Sequence, residues 1–155
     1  MGWLMAMLSR LRREEEAYSL VNSFISTAVS PNLFDITAKC FQIDGNMAFV
    51  SGVCEMLIQS HEGVIALIPA LPKVWDHGSF RGLRARGNFE LDVAWEDREV
   101  RSFTITAGTA PEAIIELPAT QKHFTFRDDA GNIYTAVDHK LTVRVDGTLR
   151  LSVIE

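Results

Sequence analysis

The sequence predicts an α+β fold, with helices first and an antiparallel β-sandwich-like domain after them. Apolar residues recur at helical spacing up to Ser60, and from Gly63 onward they alternate with polar ones. The second half is punctuated by Asp, Asn and Gly turn signals. The division reads as a helical segment over 1–62 and a β domain over 63–155.

Taken in order, Trp3, Met7, Leu8 and Leu11 share one face of a first helix. After the charged run 12–16, a second stripe follows at Ala17, Leu20, Val21, Phe24 and Ile25. The two make a helical hairpin joined near Arg12 and Arg13. Glu14, Glu15 and Glu16 lie on a solvated helix start, where acids meet the positive end of the helix dipole. Ser30-Pro31-Asn32 breaks the pattern and opens an irregular stretch reaching Gly45, long enough to point to a functional loop. A third helix over 46–60 carries Phe49, Val50, Val53, Met56 and Leu57 on a wide apolar face, with Glu55 as a structural contact.

In the β half, Phe89, Leu91, Val93 and Trp95 alternate with Asn88, Glu90, Asp92 and Ala94, and Leu141, Val143 and Val145 alternate with Thr142 and Arg144. Asp146-Gly147 is a hairpin signal between this last run and Leu149-Arg150-Leu151-Ser152-Val153, because both turn positions tolerate positive φ. Other turns fall at Glu96-Asp97-Arg98, at 108–111 and at 128–132. Trp75, Phe80 and Trp95 suit either a sugar-stacking surface or the core, and core is the ordinary fate of such residues in a small β domain. Arg84 and Arg86 suit ion pairs with Glu90 or Asp92 on a neighbouring strand.

The net charge of −5, with Lys and Arg scattered, argues against a nucleic-acid or anionic-membrane partner. The apolar N-terminal run is too short to span a bilayer and precedes its arginines, unlike an export signal. Cys40 and Cys54 stand far from any CxxC pattern and read as reduced, packed thiols. The four histidines are isolated, so no metal and no cofactor are indicated. The helices pose a mismatch, since a small β domain covers only part of their apolar faces. Each large apolar side chain left open forfeits about 1.5–3 kcal/mol, against a typical folding stability of about 5–15 kcal/mol. Self-association through the helices, aggregation, or a missing half that packs on them is therefore expected.

Phe41-Gln42-Ile43-Asp44-Gly45-Asn46 is the stretch most suggestive of chemistry. It places Asp44 on a tight turn at the mouth of the third helix, with Asn46 positioned to cap a helix starting at Met47. A carboxylate held by local backbone suits a catalytic or sugar-binding acid, but turn carboxylates are usually structural, and taken alone the residues favour a cap shared with Asn46.

Several motifs occur in a definite order: Gly2-Trp3, Pro31-Asn32-Leu33-Phe34-Asp35, Phe41-Gln42-Ile43-Asp44-Gly45-Asn46, Glu55-Met56-Leu57-Ile58-Gln59-Ser60-His61, Leu67-Ile68-Pro69-Ala70-Leu71-Pro72 and Gly82-Leu83-Arg84-Ala85-Arg86-Gly87. Over residues 2–107 the chain thereby resembles the C-terminal part of glycoside hydrolase family 95, the inverting α-L-fucosidases and related α-galactosidases. The resemblance implies the last helices of an (α/α)6 barrel followed by the family's C-terminal β domain. It also implies a fucosyl or galactosyl glycan as partner and a bacterial, periplasmic or secreted setting. The acid of the Gln-Ile-Asp-Gly-Asn motif, matched by Asp44, is implied to be the general base, with Gln42 and Asn46 as substrate-binding supports. The general acid belongs to a segment upstream of this match, so the chain reads as an inactive C-terminal fragment; the alternative is a non-catalytic carbohydrate-binding or association module. An inverting hydrolase needs two carboxyl groups about 6.5–9.5 Å apart, and only one is recognisable here. The chain departs from the family where His-Pro-Pro is replaced by the longer Ile36-Thr37-Ala38-Lys39-Cys40, and where Met47-Ala48 stands for Phe-Gly. The first change removes a histidine that could contact sugar and brings the positive charge of Lys39 where the family has none; the second alters the pocket wall near the implied base.

Overall fold

The computed structural model describes residues 1–37 and 39–154; Ala38, within one of the departures above, and Glu155 lie outside the described residues. The chain forms two compact units, Met1–Leu57 with Pro69–Pro72, and Ile58–Ile68 with the chain from Lys73 onward.

The first unit contains α1 (Gly2–Arg10), α2 (Glu14–Ser23) running into a π-helical turn at Phe24–Ala28, and α3 (Ile43–Leu57). The hairpin turns where expected: Arg12 takes φ 55°, and Arg13 N–H closes on Leu8 O at 2.9 Å. Three glutamates open α2, and Glu16 pairs with Arg13 at 2.6 Å. In the π-helical turn the Ser26 and Thr27 hydroxyls donate to the carbonyls of Asn22 and Ser23, each at 2.7 Å. Such back-bonding favours departures from regular α geometry.

The buried face of α1 is not the predicted one. Gly2, Met5 and Ser9 are buried, while Trp3 and Leu11 are 67% and 64% exposed. The cause is close packing of α1 against α3 through small residues. A Cβ on Gly52 would stand 2.3 Å from Met5 Cε, so the helices meet where side-chain volume is least rather than where hydrophobicity is greatest. Arg10 and Glu55 clamp the same pair with two bonds of 3.1 and 2.7 Å, giving Glu55 the structural contact expected of it. Ala17, Val21 and Phe24 are buried as the second stripe predicts, although Ile25 is exposed. Phe24 stacks on Phe49 with centroids 4.4 Å apart. On α3 the buried residues are Gly52 and Met56, and Val50 is exposed. Cys54 is half-buried, with its thiol pushed up by burial and by Glu55, whereas Cys40 is exposed rather than packed.

The second unit is built from two sheets. One has four strands in the order β1 (Ile58–Gln59), β2 (Ile65–Leu67), β6 (Glu112–Glu116), β9 (Lys140–Arg144). The other has six: β3 (Gly78–Ala85), β4 (Phe89–Glu96), β5 (Glu99–Thr106), β10 (Thr148–Val153), β7 (Thr125–Asp128), β8 (Ile133–Thr135). All pairings are antiparallel except β2 with β6. The predicted alternations hold: Phe89, Leu91, Val93 and Trp95 on β4, and Leu141, Val143 and Val145 in and beyond β9, are all buried. Phe103 and Phe126 meet edge to face at 5.6 Å at the centre of the six-stranded sheet. Trp95 and Phe80 are buried too, and Trp95 Nε1 donates to Trp75 O at 2.9 Å, so the aromatics serve the core rather than a stacking platform.

The turn expected at Glu96-Asp97-Arg98 is present: Asp97 and Arg98 both take positive φ and join β4 to β5 as a two-residue hairpin. Asp146-Gly147 was not a hairpin. Gly147 has φ 80°, but β9 pairs with β6 in one sheet while β10 inserts between β5 and β7 in the other. The turn is real and carries the chain from sheet to sheet.

Candidate functional site

The segment 30–46 is organised around Asp35, which is 3% exposed. The Asp35 carboxylate accepts the Thr37 backbone N–H at 2.8 Å and the Thr37 hydroxyl at 2.5 Å through one oxygen. These two bonds hold its pKa below the usual carboxylate range against the opposing effect of burial, so it is ionised at neutral pH. Its other oxygen lies over the start of α3. A Cβ on Gly45 would fall 1.5 Å from Asp35 Oδ2, so this position admits no side chain while Asp35 stays in place. Gly45 is therefore required for close approach, and its φ is not positive as a tight turn would have made it.

Helix α3 starts at Ile43, earlier than predicted, and this changes the role of Asn46. It does not cap the helix, because it lies within the first turn. Instead its side chain reaches back to the loop: Oδ1 accepts Asp35 N–H at 2.9 Å, and Nδ2 donates to Leu33 O at 2.7 Å. Gln42 N–H donates to Asp35 O at 3.1 Å, and Gln42 O accepts Gly45 N–H at 3.2 Å. The loop 33–37 and the start of α3 are thereby joined by three hydrogen bonds, through Asp35, Gln42 and Asn46, and by the close approach of Asp35 to Gly45.

Asp44 sits on this locked turn, exposed, among the first-turn residues of α3. The positive end of the helix dipole is adjacent to its carboxylate. Phe34 and Phe41 stack nearby with centroids 4.3 Å apart, both 48% exposed. The structure thus gathers Gln42, Asp44 and Asn46 on one short turn, with Asn46 facing the loop. Sequence reasoning passed over Asp35 and Thr37. The signal was available in Asp35-Ile36-Thr37, an acid two residues before a hydroxyl, the spacing of a local side-chain turn.

The chemistry these groups can do is one-sided. Asp44 can accept a proton. A general acid needs a raised pKa, and the Asp35 and Asp128 carboxyls are shifted the other way, down, by hydrogen bonds from Thr37 and Asn132 respectively. No group of three or more metal-ligating side chains occurs among the described residues. No described helix is long and apolar enough to cross a membrane.

Comparison with known proteins accounts for both units. Residues 1–57 match the family model described as the glycosyl hydrolase family 95 catalytic domain, and residues 59–149 match the glycoside hydrolase family 95 C-terminal domain. Alpha-L-fucosidase 2 of Arabidopsis thaliana is 35% identical over 114 residues, covering 65% of this chain and 13% of that protein. A probable alpha-fucosidase A of Aspergillus niger is 32% identical over 111 residues, covering 63% of this chain and 14% of its own length. Its Aspergillus oryzae counterpart is 30% identical over 110 residues, covering 61% and 15%. The matched region is thus a small part of each curated relative. With one model spanning the second unit and another ending where the helices end, the chain belongs to glycoside hydrolase family 95.

Proposed function

We propose that this chain supplies the base half of an inverting α-L-fucosidase-type centre, with Asp44 as general base and with the acid coming from elsewhere in the enzyme. The carrying observation is Asp44 itself, an exposed carboxylate on a turn fixed by Asp35, Gln42, Gly45 and Asn46. A base that must hold water against one face of a sugar needs such positional restraint, because misplacement by an ångström costs orders of magnitude in rate. Gln42 contacts the substrate from the same turn. Asn46 supports the site by keeping the loop against the helix, with one amide hydrogen left over for a sugar hydroxyl. The substrate is a fucosyl or galactosyl glycan, consistent with the fucosidase names of the relatives.

On this reading the chain alone does not turn over substrate, because among the described residues none stands out as the acid that would protonate the leaving oxygen. The exposed stripe of Trp3, Met7 and Leu11 fits a helical unit that packs against further helices of an (α/α)6 barrel, or else against a second copy. The same stripe favours, as second reading, a non-catalytic association module.

The catalytic reading is tested by complementation. A family 95 fucosidase truncated before the region matched by this chain is mixed with wild-type chain or with Asp44→Asn. Aryl α-L-fucoside turnover restored by the wild type and not by the variant supports the assignment. Equal restoration by Asp44→Asn removes Asp44 from the base role.

A further inference from the structure

The ties between the loop 33–37 and the turn that carries Asp44 converge on one residue. Asn46 Oδ1 accepts the Asp35 N–H at 2.9 Å, Gln42 N–H donates to Asp35 O at 3.1 Å, and the Asp35 side chain fills the space beside Gly45. Only the bond from Asn46 Nδ2 to Leu33 O, at 2.7 Å, ends elsewhere. On its far side Asp35 bridges Val29, and the Ile36 N–H donates to Ala28 O at 2.8 Å. Asp35 thus links the end of the π-helical turn to the start of α3.

Its own side chain sets its place. Oδ1 takes both Thr37 bonds, and Oδ2 lies where a Cβ on Gly45 would have to stand. Hydrogen bonds to an ionised acceptor are roughly twice as strong as neutral ones, and the positive end of α3 adds to the hold. Apolar burial does little to seat this loop, since Leu33, Phe34 and Ile36 are all exposed. The loop is also strained. Leu33 and Lys39, neither of them glycine, take φ of 67° and 62°. Such conformations persist where the surroundings over-determine them, and they cluster at functional sites.

We propose that Asp35 is the positioning residue of the base: seated by Thr37 and Gly45, it holds a strained loop against the turn bearing Asp44, and it affects turnover only through Asp44. This rests on the reading of Asp44 as general base. Asp35 itself, 3% exposed, does not meet substrate.

The test has two arms. In the full chain, backbone order parameters are compared between wild type, Asp35→Asn and the milder Thr37→Val, which removes only the hydroxyl bond. Values at Gln42, Asp44 and Asn46 should fall from about 0.85 towards about 0.6, with Met5 and Ser9 of α1 unchanged. In the complemented enzyme, Asp35→Asn should lower kcat for aryl α-L-fucoside about tenfold or more per folded chain, with KM within about twofold. Thr37→Val should reproduce part of that loss and Thr37→Ser should recover it. In the Asp44→Asn background, Asp35→Asn should cost nothing further, because a residue that acts through another is not additive with it. Unchanged order parameters, a loss spread evenly over α1, or the same kcat factor lost in both backgrounds would overturn the proposal. Full turnover by Asp44→Asn alone carries a different signature: it removes the base reading, and this proposal with it. Should the two parts of the enzyme not combine, the first arm decides alone.

Discussion

Asp35 is the residue on which the helical unit's loop depends, and its ionisation makes the dependence visible. Its folded pKa is lowered, chiefly by the Thr37 hydroxyl and then by the Thr37 N–H. A depressed carboxylate pKa contributes stability that is present above the unfolded value, about 4, and lost as pH falls through the folded value. Melting temperatures of the wild type should therefore drop between pH 5 and pH 3 by more than those of Asp35→Asn, measured side by side. At pH 7 the same variant should lose about 1–3 kcal/mol, the cost of weakening a buried charged hydrogen-bond pair. Gly45→Ala should cost at least as much, because its methyl meets the Asp35 carboxylate and the cross-link must open. Asp44→Asn, by contrast, alters an exposed side chain and should leave stability within about 0.5 kcal/mol. Chemical denaturation of the three variants separates these outcomes.

At the scale of elements, what was legible was period and turn chemistry, and what was not was choice of partner. Strand β4 announced itself through Phe89, Leu91, Val93 and Trp95, since a buried face of period two has no other explanation. Leu91, fully buried at its centre, should cost about 2–5 kcal/mol as Leu91→Ala in a denaturant titration. Asp146-Gly147 was misread because a turn signal reports local φ and says nothing of which sheet receives the next strand. Helix α1 was misread because Met5, Ser9 and Gly52 pack by fit at small volume, a property hydropathy does not rank. The start of α3 was placed late because Asp-Gly-Asn resembles a cap, whereas Asn46 spends its amide on Leu33 and Asp35. At the candidate site, the sharing of one turn by Gln42, Asp44 and Asn46 follows from their closeness in sequence. The site's organiser was not legible, because Asp35 lies nine residues before Asp44 in the chain and acts only through tertiary approach to Gly45.

For the whole molecule, the contrast between the two units is energetic. The β unit buries an aromatic core between its sheets, while the helical unit leaves Trp3, Met7, Leu11, Ile25 and Val50 exposed. Burying such side chains is worth about 1.5–3 kcal/mol each, so the surface favours a partner. Light scattering on the purified chain should show mass rising with concentration, and Met7→Glu with Leu11→Glu should return it towards the monomer. Under the proposed reading, that surface is covered by further helices of a catalytic domain, and the acid that works with Asp44 comes from there. The central claim is that the chain holds a base without its acid. Its most direct measurement is aryl α-L-fucoside hydrolysis by the purified, folded chain alone, as wild type and as Asp44→Asn. The account predicts no turnover from either; turnover by the wild type that disappears in Asp44→Asn would contradict it, because an acid would then have been supplied within this chain or its oligomer.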